Sequence, residues 1–464
     1  MVRTTRWSVR FATGTAAAVV AIATSTAMVA SSAPAVGSAA TPAGAPATDP
    51  AAPDGGSDAD GHGNGHGHGH GHGGGSYDHG SRARNVIFIQ GDGMGIAARE
   101  LIRLATVGQD GELAMNQMDV TGLVHTDSAD PEEAVTDSAA AATAYATGVR
   151  SYNGAIGVDV DGNSVPTLLE QARDAGKATG LVTTSQVTDA TPAAFGSHVL
   201  DRSDQSEIAR QYIEDTRPDV ILGGGEDFWL PAGTPGDWPD NPATDPTEQS
   251  KGTAGNLVER AQELGYTYVS DADGLAGAGA GPLLGLFANE EMFEHRNEGE
   301  GDLYEPSVPL KTMATKALDV LSQDEDGFFL LIEEEGIDEM EHHGNATLTV
   351  KAGAALDDTV AMALDFAVRT PGTLVLVIGD HEAGGLAIES VDEEDENGTG
   401  DQAEDTIPIA NSDLSMTVDW STGGHTGAAV PVTAEGPGAD RLAGFIRNTD
   451  VHDAIRYALR LPRS

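Results

Sequence analysis

The stretch NVIFIQGDGMG, residues 85–95, decides the fold. Residues 85–90 form an unbroken apolar run rich in β-branched side chains, bounded by charge on one side and glycine on the other. A strand with one wet face would alternate apolar and polar residues. A continuous run predicts a strand buried on both faces, as in a parallel sheet covered by helices. Gly91-Asp92-Gly93-Met94-Gly95 then turns the chain, with a helix predicted after it. An aspartate between glycines at the carboxyl end of such a strand either shapes the turn or sits where open α/β sheets keep their ligands.

The same strand signal recurs at 178–184, 219–222, 266–269, 328–332, 374–378 and 429–432. Between these runs, helices are predicted at 139–147, 167–174, around His198, and at 253–264, 306–322, 352–367 and 451–461. The expected fold is α/β, a three-layer α/β/α sandwich around a large, mostly parallel central sheet. The globular chain is expected to begin near residue 81. Residues 1–11 carry three arginines and no acid, and 12–30 is a small-residue apolar stretch, which predicts an export signal over residues 1–35; a retained membrane anchor is the alternative. No adjacent arginine pair is present, which favours the general export route. Residues 36–80 are rich in Ala, Pro, Gly and, from His62 to His72, a glycine-histidine run, and are expected to form a disordered tether, with loose zinc or copper chelation as an alternative use. The globular part is then 81–464, broken by an acidic surface excursion at 391–405 that holds eight acids and no base.

The chain of 464 residues carries 73 acidic side chains against 25 basic ones, a formal charge of −48, and no cysteine. That balance argues against nucleic acid or an anionic membrane as partner. It predicts a salty working environment, where screening relieves the repulsion. Stability must come from the core alone, since disulfides are impossible.

Residues 135–148, VTDSAAAATAYATG, read as a short alanine-rich helix opened by Asp137 or Ser138 and closed by Gly148. Ser138 is either a cap or a nucleophile. Several strand ends carry the other chemistry. Asp92 follows the first strand. The strand at 328–332 runs into Glu333-Glu334-Glu335 and then Asp338, His342 and His343, with Asp338 and His342 four residues apart on one helical face. Three acids after a buried strand are costly unless compensated, which favours a metal for at least one of them. Asp380 and His381 follow the strand at 374–378, and His425 sits in a glycine-rich turn. Mixed oxygen and nitrogen ligands suit zinc, and the oxygen-only subset suits magnesium.

With these residues in view, the chain from 85 to near its end resembles the bacterial alkaline phosphatase family, as an acidic, salt-adapted member. The resemblance rests on GDGMG at 91–95, VTDSAAAATAYATG at 135–148, DATPAA at 189–194, GGHTG at 423–427 and the spacing of Glu333, Asp338 and His342. It implies hydrolysis of phosphomonoesters through a phosphoserine on Ser138, with Arg202 clamping the phosphoryl oxygens. It implies one zinc ion on Asp338, His342 and His425, a second on Asp92, Asp380 and His381, and one magnesium on Asp92, Thr191 and Glu333 with Asp189 acting directly or through water. A homodimer and an extracellular, cell-surface or periplasmic location are further implications. One position departs from the family. Where Lys or His is frequent directly after the residue matching Asp338, this chain has Glu339, which should weaken phosphate binding.

Two other readings compete. A phosphodiesterase or sulfatase-like hydrolase would share the fold, but Ser138 is followed by three alanines rather than the Ser-x-Pro-x-Arg context of a sulfatase. A non-catalytic secreted metal-binding protein is supported only by the histidine run.

Overall fold

A computed structural model describes residues 82–238, 250–294, 303–391 and 406–462. The export segment, the tether and all but the first residue of the acidic excursion lie outside these. A ten-stranded sheet runs edge to edge through Thr267–Val269, Leu283–Leu286, Val220–Gly224, Ala178–Gln186, Phe328–Glu334, Asn85–Gly91, Thr373–Ile378, Val430–Glu435, Val120–His125 and Gly444–Arg447. Within it Val430–Glu435 runs antiparallel to both neighbours and the other pairings are parallel.

The first strand shows why the sheet is buried on both sides. Val86 and Phe88 enter one apolar layer, Ile87 and Ile89 the other, each contributing about 1.5–3 kcal/mol through burial. On the first face lie the helices Ser138–Thr147, Leu168–Asp174, Ala190–Gly196, Gln205–Gln211, Leu257–Glu263 and Asn448–Leu459. On the second lie Ile96–Thr106, Ala272–Gly277, Leu310–Leu321, Gly336–His342 and Ala346–Arg369. The result is the expected three-layer α/β/α arrangement. Among the described residues no helix is long and apolar enough to cross a membrane.

Register places the chemistry. Gln90 pairs with Glu333 on one side and Ile378 on the other, and Thr183 pairs with Glu333. Parallel strands in register end together, so Asp92, the acids from Glu333 onward and Gly379-Asp380-His381 leave the sheet along one edge.

Two local expectations change. The helix expected to hold His198 ends at Gly196, and His198 lies beyond it, its Nδ1 against the carbonyl of Gly157 at 2.7 Å and its Nε2 3.2 Å from Glu170. Those contacts pin the loop to the first face of the sheet. His425 lies in a two-residue strand, His425–Thr426, paired antiparallel with Glu382–Ala383, so the glycine-rich turn is anchored beside His381 by backbone pairing.

Candidate active site

The serine helix is set by its sequence at both ends. Asp137 caps it, its Oδ1 accepting from the Ala140 N–H at 2.9 Å while Oδ2 accepts from the Gly154 N–H at 3.0 Å. Gly148 closes it in the left-handed region at φ 75°. All ten helical residues are buried, and alanine lets the helix pack closely between Ala190–Gly196 and Asn448–Leu459. The one hydroxyl at its start, Ser138, is 6% exposed, with Oγ 3.2 Å from His381 Nε2. Tyr145 ties the same helix to the Asp380 loop, its hydroxyl donating to the Gly379 carbonyl at 2.8 Å.

Two groups of ligand-type side chains converge beside that hydroxyl. Asp92, Asp380 and His381 form one, with His381 Nε2 3.5 Å from Asp92 Oδ1 and 3.2 Å from Asp380 Oδ2. Asp338, His381 and His425 form the other. His342 joins it, with Nε2 3.0 Å from Asp338 Oδ2 and 3.1 Å from His425 Nε2. Gly93 makes this approach possible. It adopts φ 67°, its N–H donates to Asp380 Oδ1 at 3.1 Å, and a Cβ there would fall 2.6 Å from Asp338 Oδ1.

A third cluster carries oxygen donors. Thr191 Oγ1 lies 3.4 Å from Asp92 Oδ2 and accepts from Gln90 at 2.9 Å, and Thr183 donates to Glu333 Oε2 at 2.6 Å. Asp189 sits alongside, accepting from Ser185 Oγ at 3.1 Å and from Arg202 Nη2 at 2.8 Å. Arg202 also reaches Asp137 Oδ2 at 3.4 Å, so its guanidinium is held at the mouth of the serine helix by two aspartates.

Electrostatics shows what this assembly lacks. Burial pushes Glu333 up to about 8 and, aided by Asp338, Asp380 up to about 7. Asp92 rises through burial and then through Asp380 and Asp338. Burial works against ionisation of Asp338 too, but the hydrogen bond with His342 and the nearby rings of His425 and His381 hold it far below the carboxylate range. For Asp189, Arg202 outweighs burial and brings it down to about 2. Buried acceptors Asp92 Oδ1, Asp338 Oδ1, Asp380 Oδ2 and the nitrogen His381 Nδ1 have no hydrogen-bond partner. Unpaired donors of this type, concentrated where strands end, fit divalent cations.

The structure therefore brings together every site residue singled out in the sequence: Ser138, Arg202, Asp92, Asp189, Thr191, Glu333, Asp338, His342, Asp380, His381 and His425. Gln90, Thr183, Ser185 and Tyr145, which orient them, carry no signal in the sequence, because each acts through partners over a hundred residues away or through a single hydroxyl. Of the three consecutive acids, Glu334 turns away, its carboxylate accepting from Tyr304 at 2.5 Å, Thr184 at 2.9 Å and the Gly336 N–H at 3.1 Å.

A parallel-sheet α/β/α fold whose strand ends present a serine at a helix start, an arginine and clustered carboxylates and imidazoles that could hold metal ions is that of a hydrolase. The chain belongs to the alkaline phosphatase family: the family's model, described as alkaline phosphatase, matches residues 83–395. It is 33% identical to alkaline phosphatase of Escherichia coli (strain K12), covering 82% of this chain and 86% of that protein. Alkaline phosphatase 4 of Bacillus subtilis is 30% identical over 81% of this chain and 89% of its own length. Among solved structures, alkaline phosphatase from the Antarctic bacterium TAB5 superposes with a TM-score of 0.67 at 27% identity, over 82% of this chain and all of that one. A mutant of the TAB5 enzyme, with magnesium bound in its M3 site, gives a TM-score of 0.64 at 27% identity over 82% and 99% of the two chains. The protein is a phosphatase that hydrolyses phosphomonoesters.

Proposed function

We propose that the reaction proceeds through a phosphoserine on Ser138, with two zinc ions and one magnesium per chain. The observation that carries this reading is the 3.2 Å approach of Ser138 Oγ to His381 Nε2, inside the Asp92–Asp380–His381 group. The cations would be held by Asp92, Asp380 and His381, by Asp338, His342 and His425, and, for magnesium, by Asp92, Thr191 and Glu333 with Asp189. When bound there, zinc would acidify a hydroxyl or water and stabilise charge on a leaving oxygen, activating Ser138 while His381, the imidazole 3.2 Å from its Oγ, serves as a ligand.

The chain's own groups do the rest. Arg202, aimed by Asp189 and Asp137, holds the non-bridging oxygens of the phosphoryl group through its guanidinium fork. The helix start at Ser138 offers backbone N–H groups to the same charge. Ser138 Oγ displaces the alcohol, forming the O–P bond as the ester bond breaks; the hydroxyl proton leaves and the alcohol oxygen gains one. Water then displaces Ser138 by the same in-line route, releasing phosphate, and two displacements retain configuration at phosphorus. Asp137 shapes the turn, both of its oxygens being committed to backbone N–H groups.

The remaining features fit an exported enzyme: an export signal over residues 1–35, a tether over 36–80 and a catalytic domain from 81, with the charge of −48 suited to high salt. By likeness to the family we also propose a homodimer. Ser138→Ala tests the central step. Release of phosphate from p-nitrophenyl phosphate should fall at least about a thousandfold while elemental analysis finds the same zinc content. Retained turnover would eliminate the phosphoserine route.

A further inference from the structure

Glu333, in the strand, and Glu335, the residue just past its end, both lie toward Asp189, whereas Glu334 turns to Tyr304. Glu334 is fully satisfied, as described above; Glu335 is not. It is 6% exposed, its backbone N–H donates to Thr184 Oγ1 at 3.1 Å, and its Oε2 has no hydrogen-bond partner. Its carboxyl lies against that of Asp189, with Glu333 and Glu339 adding further negative charge. Arg202 and Ser185 engage both Asp189 oxygens, and the Glu335 carboxyl hydrogen-bonds to the same group, leaving its Oε2 unpartnered. Burial and Asp189 raise Glu335, so a proton shared between the two carboxyls joins them; a divalent cation beside them would take that proton's place and give Oε2, which meets no donor, a partner. All the donors here are oxygens, as a hard divalent ion prefers.

We infer that Glu335 is an additional ligand of the oxygen-only metal site, joining Asp189 beside Glu333 and Thr191, so that this chain binds its magnesium through more protein carboxylate than that site otherwise offers. The inference rests on the three-cation reading above. It also gives Glu335 a reason to be buried, which packing alone does not: a neutral side chain would fill the same space without facing Asp189.

The test is calorimetric titration of Mg²⁺ into the zinc-loaded, magnesium-stripped full-length protein, comparing wild type, Glu335→Gln, Glu335→Asp and Glu333→Gln. Glu335→Gln should weaken Mg²⁺ binding at least about tenfold with zinc content unchanged and the magnesium-free form still folded. Glu335→Asp, which keeps the charge, should fall between Gln and wild type. Wild-type or tighter Mg²⁺ affinity in Glu335→Gln overturns the inference, and so does a loss in Glu335→Asp as large as in Gln, which would assign the residue to packing. If Glu333→Gln weakens Mg²⁺ while Glu335→Gln does not, the third site stands and Glu335 is not part of it. If wild type binds no Mg²⁺ beyond its zinc, the three-cation reading fails as well.

Discussion

The Nε2 atoms of His342 and His425 face each other at 3.1 Å, although the residues belong to a helix and a strand 83 positions apart. Each ring has its Nδ1 against a backbone carbonyl, Gly423 at 2.8 Å for His342 and Thr136 at 3.0 Å for His425. A carbonyl only accepts, so Nδ1 carries the hydrogen in both rings and each neutral Nε2 presents a lone pair to the same point, beside Asp338. Two lone pairs held that close repel unless a proton or a metal lies between them. A hydrogen bond to Asp338 raises His342 to about 9, so positive charge at this point is favoured.

Chelation should therefore cost stability as well as activity. Metal held at about a thousand times its dissociation constant contributes about 4 kcal/mol per site, or about 5 °C in midpoint for a domain of this size. Differential scanning calorimetry with and without EDTA measures the shift. In a His342→Ala, His425→Ala double variant the shift should shrink by about one site's share; a full-sized response would separate these histidines from metal binding.

Glu339 invites a charge reversal. It is partly exposed one turn from Glu335, and its charge acts on both Glu335 and His342. A dianion arriving near Arg202 meets that repulsion, worth about 1 kcal/mol at low salt and less when screened. Glu339→Lys should tighten competitive inhibition by inorganic phosphate about fivefold in 0.1 M NaCl and less in 1 M. An unchanged or weaker inhibition constant in both salts would show that the side chain does not sense the phosphate.

The strands buried on both faces were legible because nothing interrupts them: residues 85–90, 328–332 and 374–378 are continuous apolar runs whose ends reveal the ligand edge. Val120–His125 was not, since its exposure alternates at the margin of the sheet, and Leu283–Leu286 is only four residues long and follows a glycine-alanine repeat. Gly444–Arg447 is a largely exposed edge strand with little apolar patterning to read. The site is a different case. Ser138 and His381 lie 243 residues apart, and no local pattern connects them; family strings selected them, and parallel register explains how they meet. Glu335 sits within an acid run that was visible from the start, but only the fold shows that Glu334 turns to Tyr304 while Glu335 turns to Asp189.

Acid should destabilise the closing helix through one histidine remote from the chemistry. His452 is 4% exposed on Asn448–Leu459, lodged where Gly148 leaves room; a Cβ on that glycine would come within 2.6 Å of His452 Nδ1. Gln171 Nε2 reaches its Nε2 at 3.5 Å, Asp453 lies 3.7 Å from Nδ1, and Arg456 is nearby. Burial outweighs the attraction of Asp453 and brings the imidazole down to about 4. The folded ring thus stays neutral at pH values where an unfolded histidine, titrating near 6.5, takes a proton. Between about pH 6.5 and 4 the unfolded state binds more protons, so stability falls as pH falls through that window, by about 3 kcal/mol at most. Urea midpoints at pH 7 and pH 5 should differ less in His452→Gln than in wild type, since glutamine can meet Gln171 without titrating. The same pH dependence in both proteins would place the acid sensitivity elsewhere, among the carboxylates of the site.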